Sequence, residues 1–236
     1  PQLRERHDAV LLANGVYAAR DLEVPGVGSG GVVAALDYLI ASNRVGLGDT
    51  VADFDSGMLN AAGKDVVVIG GGDTARDKEN MPGSLREVAN AEEEGVVFEW
   101  LAAPRGLLGD AGAVSAVRAV RMRLGPPDSS GRRAPEAVDG SEFDLPAQLV
   151  IKALGFDPED LPTALQAPDL SVSRWGTVKI DRRTQAANLD GVFAAGDIAR
   201  GASLVVWAIR DGRDAAASIH SYLRTKAEAP ALVAAE

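Results

Sequence analysis

Gly70-Gly71-Gly72-Asp73-Thr74-Ala75 follows directly on the apolar run Val66-Val67-Val68-Ile69. A glycine for the turn, a second for close backbone approach and a small third residue for tight packing make the G-x-G-x-x-A pattern. Such a loop presents the N-terminus of a helix to a pyrophosphate. The alternative is a glycine-rich turn in an ordinary α/β core, and the uninterrupted β-branched run before it favours the dinucleotide reading. A second glycine cluster, Gly26-Val27-Gly28-Ser29-Gly30-Gly31, follows Pro25 and no long strand, so it reads as a connection rather than a phosphate loop.

The segment Gly191-Val192-Phe193-Ala194-Ala195-Gly196-Asp197 is a buried strand that stops at Gly-Asp. A carboxylate there sits where open α/β sheets hold ligands and can hydrogen-bond a sugar or ribityl hydroxyl; alone, it could equally cap a turn. Gly201 allows close approach, and the helix opening near Ser203 and Leu204 offers partial positive charge suited to a reduced flavin ring.

Other chemistry is thin. With no cysteine, the chain carries no disulfide, thiolate metal site or cysteine-held iron–sulfur cluster, and redox work requires an organic cofactor. His7 and His220 match no metal spacing. Arg132-Arg133 and Arg182-Arg183 read as solvated surface. Trp100, Trp175 and Trp207 read as packing residues, with Trp207 the one that could approach a flavin.

These loops need strands and helices to hold them. Strands are expected at His7–Ala13, ending in the turn Asn14-Gly15, at Lys64–Ile69, at Val96–Leu101, at Val114–Leu124 in a peripheral sheet, at Leu149–Leu154 before Gly155, and at Gly191–Ala195. Helical spacing covers Val32–Ser42; Ser84-Leu85-Arg86-Glu87 is a capping box for a helix closed by Gly95; Ser203–Leu223 is the longest helical stretch, with a frayed tail beyond. Gly125–Gly140 reads as a polar loop.

A chain of 236 residues, 46% apolar, is large enough to bury a substantial core, and 26 glycines with 5% aromatics suit an open α/β protein. Its net charge of -10 opposes binding to nucleic acid or to anionic membrane surfaces. There is no long apolar span or cleavable leader, so the expected location is cytoplasmic. The chain opens at Pro1, which points to processing or to a start part-way along a longer protein.

The motifs GGGDTA, ENMPGSLREVANAEEEGVVF, LGFDP and GVFAAGDIARGASLVVWAIRDGRDAA occur in that order. From about Arg4 to Leu223 the chain resembles the small (beta) subunit of glutamate synthase and, less closely, other NAD(P)H-dependent flavin oxidoreductases. The resemblance implies a Rossmann-like NAD(P)-binding domain inserted in an FAD-binding domain of the pyridine nucleotide-disulfide oxidoreductase type, incomplete here. Residues 1–34 and 157–223 would be FAD-domain segments, 35–156 the NAD(P)H-binding domain and 224–236 a flexible tail. It also implies hydride transfer from NADPH to FAD, with electrons leaving through iron–sulfur clusters, held in the missing region or the partner, to a large (alpha) subunit that makes glutamate. By the same resemblance Gly70, Gly72, Asp73, Thr74 and Ala75 match the nicotinamide-nucleotide loop. Gly196, Asp197, Ser203, Leu204 and Val205 match the flavin segment, Asn14-Gly15 a flavin-side turn, and Gly155 the LGFDP motif. No general base is needed, since the protein only stacks and polarises two cofactors.

Two departures qualify the resemblance. The family's amino-terminal region, with its cysteines and its own flavin G-x-G-x-x-G loop, is absent. After Ala75 the family continues through a helix and a strand ending in arginines, whereas this chain passes at once to Arg76, the one residue left to match them, so that NADPH and NADH both stay open. A βαβ unit takes roughly 30 residues or more, and about two dozen are expected to be missing at this join. A vacant sheet position beside Asp65–Ile69 would expose unpaired backbone and an apolar face, which is unfavourable. Two rivals remain: a related flavin oxidoreductase with another acceptor, and a truncated, non-catalytic association module.

Overall fold

The strands form where the apolar runs lie, and long-range pairing decides their ends. In the computed structural model, residues 2–70, 85–127 and 133–233 are described. They divide into two compact units, Asp21–Gly155 and the combination of Pro1–Arg20 with Phe156–Glu236. The chain opens with α1 (Gln2–Arg6), β1 (Val10–Leu12) and β2 (Ala18–Ala19). It continues through β3 (Val32–Ala34), α2 (Ala35–Gly46), α3 (Ala52–Asp55), β4 (Val66–Gly70) and α4 (Leu85–Glu93). Next come β5 (Ala102–Asp110), β6 (Ala113–Pro127), β7 (Arg133–Pro146) and β8 (Leu149–Ala153). Finally, β9 (Phe156–Asp157), α5 (Leu161–Ala164), β10 (Val192–Ala194), α6 (Asp197–Arg200) and α7 (Val205–Val233) complete the first unit.

In that first unit β1 lies parallel to β10, Val10 opposite Val192 and Leu12 opposite Ala194, while β2 and β9 form a short antiparallel pair. Ala194 and Ile198 are fully buried and pack with Leu161, Leu170 and Val178. Side chains taken out of water in this way supply the main stabilisation, about 1.5–3 kcal/mol for each large aliphatic residue. The inter-strand tie extends past the ladder, because the Ala195 amide donates to the Leu12 carbonyl at 3.0 Å.

The second unit stacks two sheets over one core. A parallel sheet runs in the order β3-β8-β4, and an antiparallel meander in the order β5-β6-β7. Leu107, Val114 and Val117 of the meander share a core with Val150 of β8, and Val32, Val67 and Ile69 pack against it. Gly26 and Gly31 belong to this packing: both have positive φ, 84° and 83°, and a Cβ on either would run into a backbone oxygen, of Leu107 and of Gln148. The cluster therefore packs within the second unit rather than linking two domains.

Several sequence expectations change. Val32–Ala34 is a strand rather than the first turn of a helix, because it pairs with Val150–Lys152, and the helix begins only at Ala35. Arg133–Gly140 is not loop: β7 starts at Arg133 and pairs with β6, Met122 opposite Ala137. The tail does not fray at Arg224, since α7 runs on to Val233. Compact packing places residues 21–34 with the second unit, where Leu107 donates to the Pro25 carbonyl and Gly30 to that of Gly112. Gly95 closes α4 with φ 92° as expected; the capping serine Ser84 lies outside the described residues. Val96–Leu101 forms no strand, although Phe98 and Trp100 stack at 4.9 Å. Among the described residues no strand lies beside it to pair with, β4 being bonded to β8 alone.

Candidate functional site

The carboxyl ends of β1 and β10 lie side by side because the strands are parallel and in register. This brings Asn14-Gly15 and Gly196-Asp197 to the same end of one sheet. Gly15 has φ 71° and its carbonyl accepts from Asn14 Nδ2 at 3.4 Å. Gly196 is buried with φ 74° and ψ -153°, a conformation that only glycine adopts easily. It turns the chain so that Asp197 is half-buried at the sheet end and opens α6.

A buried ion pair holds this turn. Arg200 Nη2 donates to Asp211 Oδ1 at 2.5 Å and Nε donates to Oδ2 at 2.9 Å, a bidentate clamp from α6 to α7. The Asp211 side chain is 7% exposed and that of Arg200 30%. The Arg200 hydrogen bond holds the Asp211 carboxyl below the ordinary carboxylate range against the opposing effect of burial, and the Gly196 backbone amide adds to the lowering. Arg200 is pushed up in turn, chiefly by the same hydrogen bond and further by the charges of Asp211 and Asp197. The guanidinium also lies over Trp207 at 5.2 Å.

Beyond Gly201, with φ 88° and open space where a Cβ would stand, the chain passes Ser203 and enters α7 at Val205. The first-turn amides of so long a helix have no acceptor within it. Leu204, Val205, Val206 and Ile209 are 52–72% exposed and Trp207 40%. An open glycine backbone, a carboxylate, a helix N-terminus and an apolar surface fit the polyol, phosphate and ring of a flavin nucleotide. Sequence reasoning missed Asp211. A charge four residues before buried Ala215, on the inward stripe of α7, was the available signal.

In the second unit Gly70 ends β4 level with Ala153 of β8. A Cβ there would stand 2.6 Å from the Ala153 carbonyl oxygen, so the close approach of two strands already demands glycine. Gly72, Asp73, Thr74, Ala75 and Arg76, and with them the Ala75–Arg76 join, lie outside the described residues. Gly155, with φ 84°, is an exposed turn at the end of this unit. Among the described residues no group of acidic or histidine side chains could hold a metal, and no helix is long and apolar enough to cross a membrane.

Comparison with known proteins gives the context. The pyridine nucleotide-disulphide oxidoreductase family model matches residues 88–212. The chain is 60% identical to the glutamate synthase [NADPH] small chain of Azospirillum brasilense, covering all of this chain and 53% of that protein. It is 58% identical to a putative glutamate synthase [NADPH] small chain of Cereibacter sphaeroides, covering 99% of this chain and 60% of that one. The chain thus spans a little over half the length of these relatives. The Azospirillum alignment runs over 256 positions against 236 residues here, so at least 20 positions of that relative have no counterpart. Among solved structures, Mycobacterium tuberculosis FprA in complex with NADPH shares the fold with a TM-score of 0.69 at 21% identity, covering 97% of this chain and 66% of that one. The thioredoxin reductase of T. acidophilum does so with a TM-score of 0.63 at 20% identity, over 90% of this chain and 65% of that one. With this α/β fold, the family match over 88–212 and the extended likeness to glutamate synthase small chains, the chain belongs to the pyridine nucleotide-disulphide oxidoreductase family.

Proposed function

We propose that the chain is part of a cytoplasmic NADPH-dependent flavin oxidoreductase that serves a glutamate synthase large subunit. The observation that carries this reading is the Gly196-Asp197 turn, set beside Asn14-Gly15 by strand pairing and held from behind by Arg200 and Asp211. Asp197 would hold FAD by accepting hydrogen bonds from its polyol hydroxyls. The amides of Leu204 and Val205, with Ser203 beside them, would offer the partial positive charge of a helix N-terminus to the flavin, and Gly201 would leave room for its approach. Gly70 begins the loop for NADPH, which Gly72, Asp73, Thr74, Ala75 and Arg76 complete. Held there, FAD would supply the redox chemistry between NADPH and iron–sulfur clusters held outside this chain. Residues 21–155 are assigned to NADPH, and 1–20 with 156–223 to FAD.

The 20 unmatched positions favour a second reading, in which this chain keeps the fold and an association surface without turnover. Anaerobic titration of the FAD-reconstituted protein with NADPH separates the two. Bleaching of the flavin band, lost in Asp197→Ala through loss of bound FAD, is expected; bound FAD that NADPH fails to bleach overturns the hydride-transfer reading. Retention of the large subunit on immobilised chain tests the partner, and electron delivery to a different acceptor in its absence would favour a related reductase.

A further inference from the structure

Arg200 has two carboxylates within reach. Asp197 and Arg200 are the first and last residues of α6, three apart on a single helical turn, a spacing that puts both side chains on one face with Cβ atoms roughly 5–6 Å apart. An ion pair between them needs no movement of the backbone. The guanidinium nevertheless gives both donors of its fork to Asp211 on α7 and none to Asp197. The two still sense each other, because the charge of Asp197 adds to the upward push that the Asp211 hydrogen bond chiefly gives Arg200. Burial decides the competition. The Asp211 side chain is 7% exposed, and a carboxylate so enclosed has little water to replace a lost partner. Asp197 is half-buried and keeps contact with solvent, so an ion pair there yields much less. Two further contacts favour the Asp211 side: the guanidinium lies over the Trp207 ring at 5.2 Å, and the Gly196 amide donates to the same Asp211 carboxylate.

We propose that Asp211 is a positioning residue that keeps Arg200 off Asp197, so that the Asp197 carboxylate stays available to the polyol hydroxyls of FAD. The inference rests on the assignment of FAD to this turn. Asp211 acts through Arg200 rather than by contact with the cofactor. Without its charge, Arg200 turns to Asp197, and a guanidinium fork takes both oxygens of a carboxylate. The hydroxyls and the guanidinium then want the same acceptors, and the two uses of Asp197 exclude each other. This role differs from bracing the turn. A brace is lost whether Arg200, Asp211 or both are removed, whereas the competition ends as soon as position 200 carries no charge.

The test compares FAD binding to the whole chain, by titration calorimetry, in the parent, in Asp211→Asn and in the double variant Asp211→Asn/Arg200→Gln. Asp211→Asn should weaken binding by about tenfold or more, the worth of a charge-assisted hydrogen bond. The double variant should recover to within about threefold of the parent. A double variant as weak as Asp211→Asn, or weaker, would overturn the inference, since that is what a brace predicts. Asp211→Asn that binds like the parent would overturn it too. A second readout needs no cofactor and stays decisive if Asp211→Asn alone fails to fold. In the FAD-free chain the magnetic resonance signal of the Arg200 Nε–H should keep its position in Asp197→Asn, because the guanidinium belongs to Asp211; a displaced signal would overturn the inference. Adding Asp197→Asn to Asp211→Asn should displace that signal, and a signal that stays in place would count against the inference equally. A parent that binds no FAD would defeat the cofactor assignment of the turn, while the Arg200 signals still decide whether Asp211 holds Arg200 off Asp197.

Discussion

Asp211 is a charge that the fold can bury only because Arg200 meets it with two hydrogen bonds. Asp211→Ala should cost on the order of 2–3 kcal/mol in urea unfolding, toward the low end for a broken buried pair because Arg200 keeps some contact with water. Its pH dependence has a definite sign. The folded carboxyl titrates below its ordinary value of 3.8, so the ionised side chain contributes fully above that value and loses its contribution as the pH falls through the folded one. Stability curves of the parent and of Asp211→Asn should therefore run a constant distance apart from neutrality down to about pH 4 and converge as the pH falls further; curves that stay parallel below that pH would contradict the assignment. Arg200→Lys should not restore the parent, since an ammonium cannot reproduce the bidentate fork.

Glycines and turns govern the elements. Gly26→Ala combines positive φ with a collision against the Leu107 carbonyl, and should destabilise the second unit by about 2 kcal/mol or more in thermal or urea unfolding. The hairpin between β5 and β6 turns through Ala111 and Gly112, both at positive φ, 49° and 85°. Type I′ geometry disfavours alanine there, so Ala111→Asn should stabilise by about 0.5–1 kcal/mol in the same assay. The strands around Val68, Val150 and Phe193 were legible because each is a short, dense β-branched or apolar run bounded by glycine or a polar turn. β7 was not legible, because Arg133–Gly140 is polar and glycine-containing, and only its register against Met122–Leu124 makes it a strand. Val96–Leu101 failed in the opposite sense: its composition is right and no described strand lies beside it. The turn at Gly196 and Asp197, proposed above to hold a flavin, was readable as a strand that stops at Gly-Asp. Its support by Asp211 was not, since that depends on which face of α7 turns inward.

At the scale of the molecule, the apolar surface around Leu204, Val205, Val206, Trp207 and Ile209 is larger than scattered surface residues require, and a ligand or further chain is expected to cover it. The dye ANS should fluoresce on the free protein, and saturating FAD should reduce that signal by at least about half if the dye occupies the ring site; undiminished fluorescence would place the flavin elsewhere.

The pairing order in sequence also bears on how the chain folds. β5, β6 and β7 join neighbours along the chain, so the meander can close once Pro146 has been made. Val32 and Val66 must wait for β8, and Val10 must wait for Val192. During synthesis the meander is therefore finished first and acts as the template on which the parallel strands are later assembled, while the Asp197 turn is among the last parts to take shape. A ribosome stalled shortly after Pro146 should display a protease-resistant meander and an amino-terminal third that is still open to cleavage.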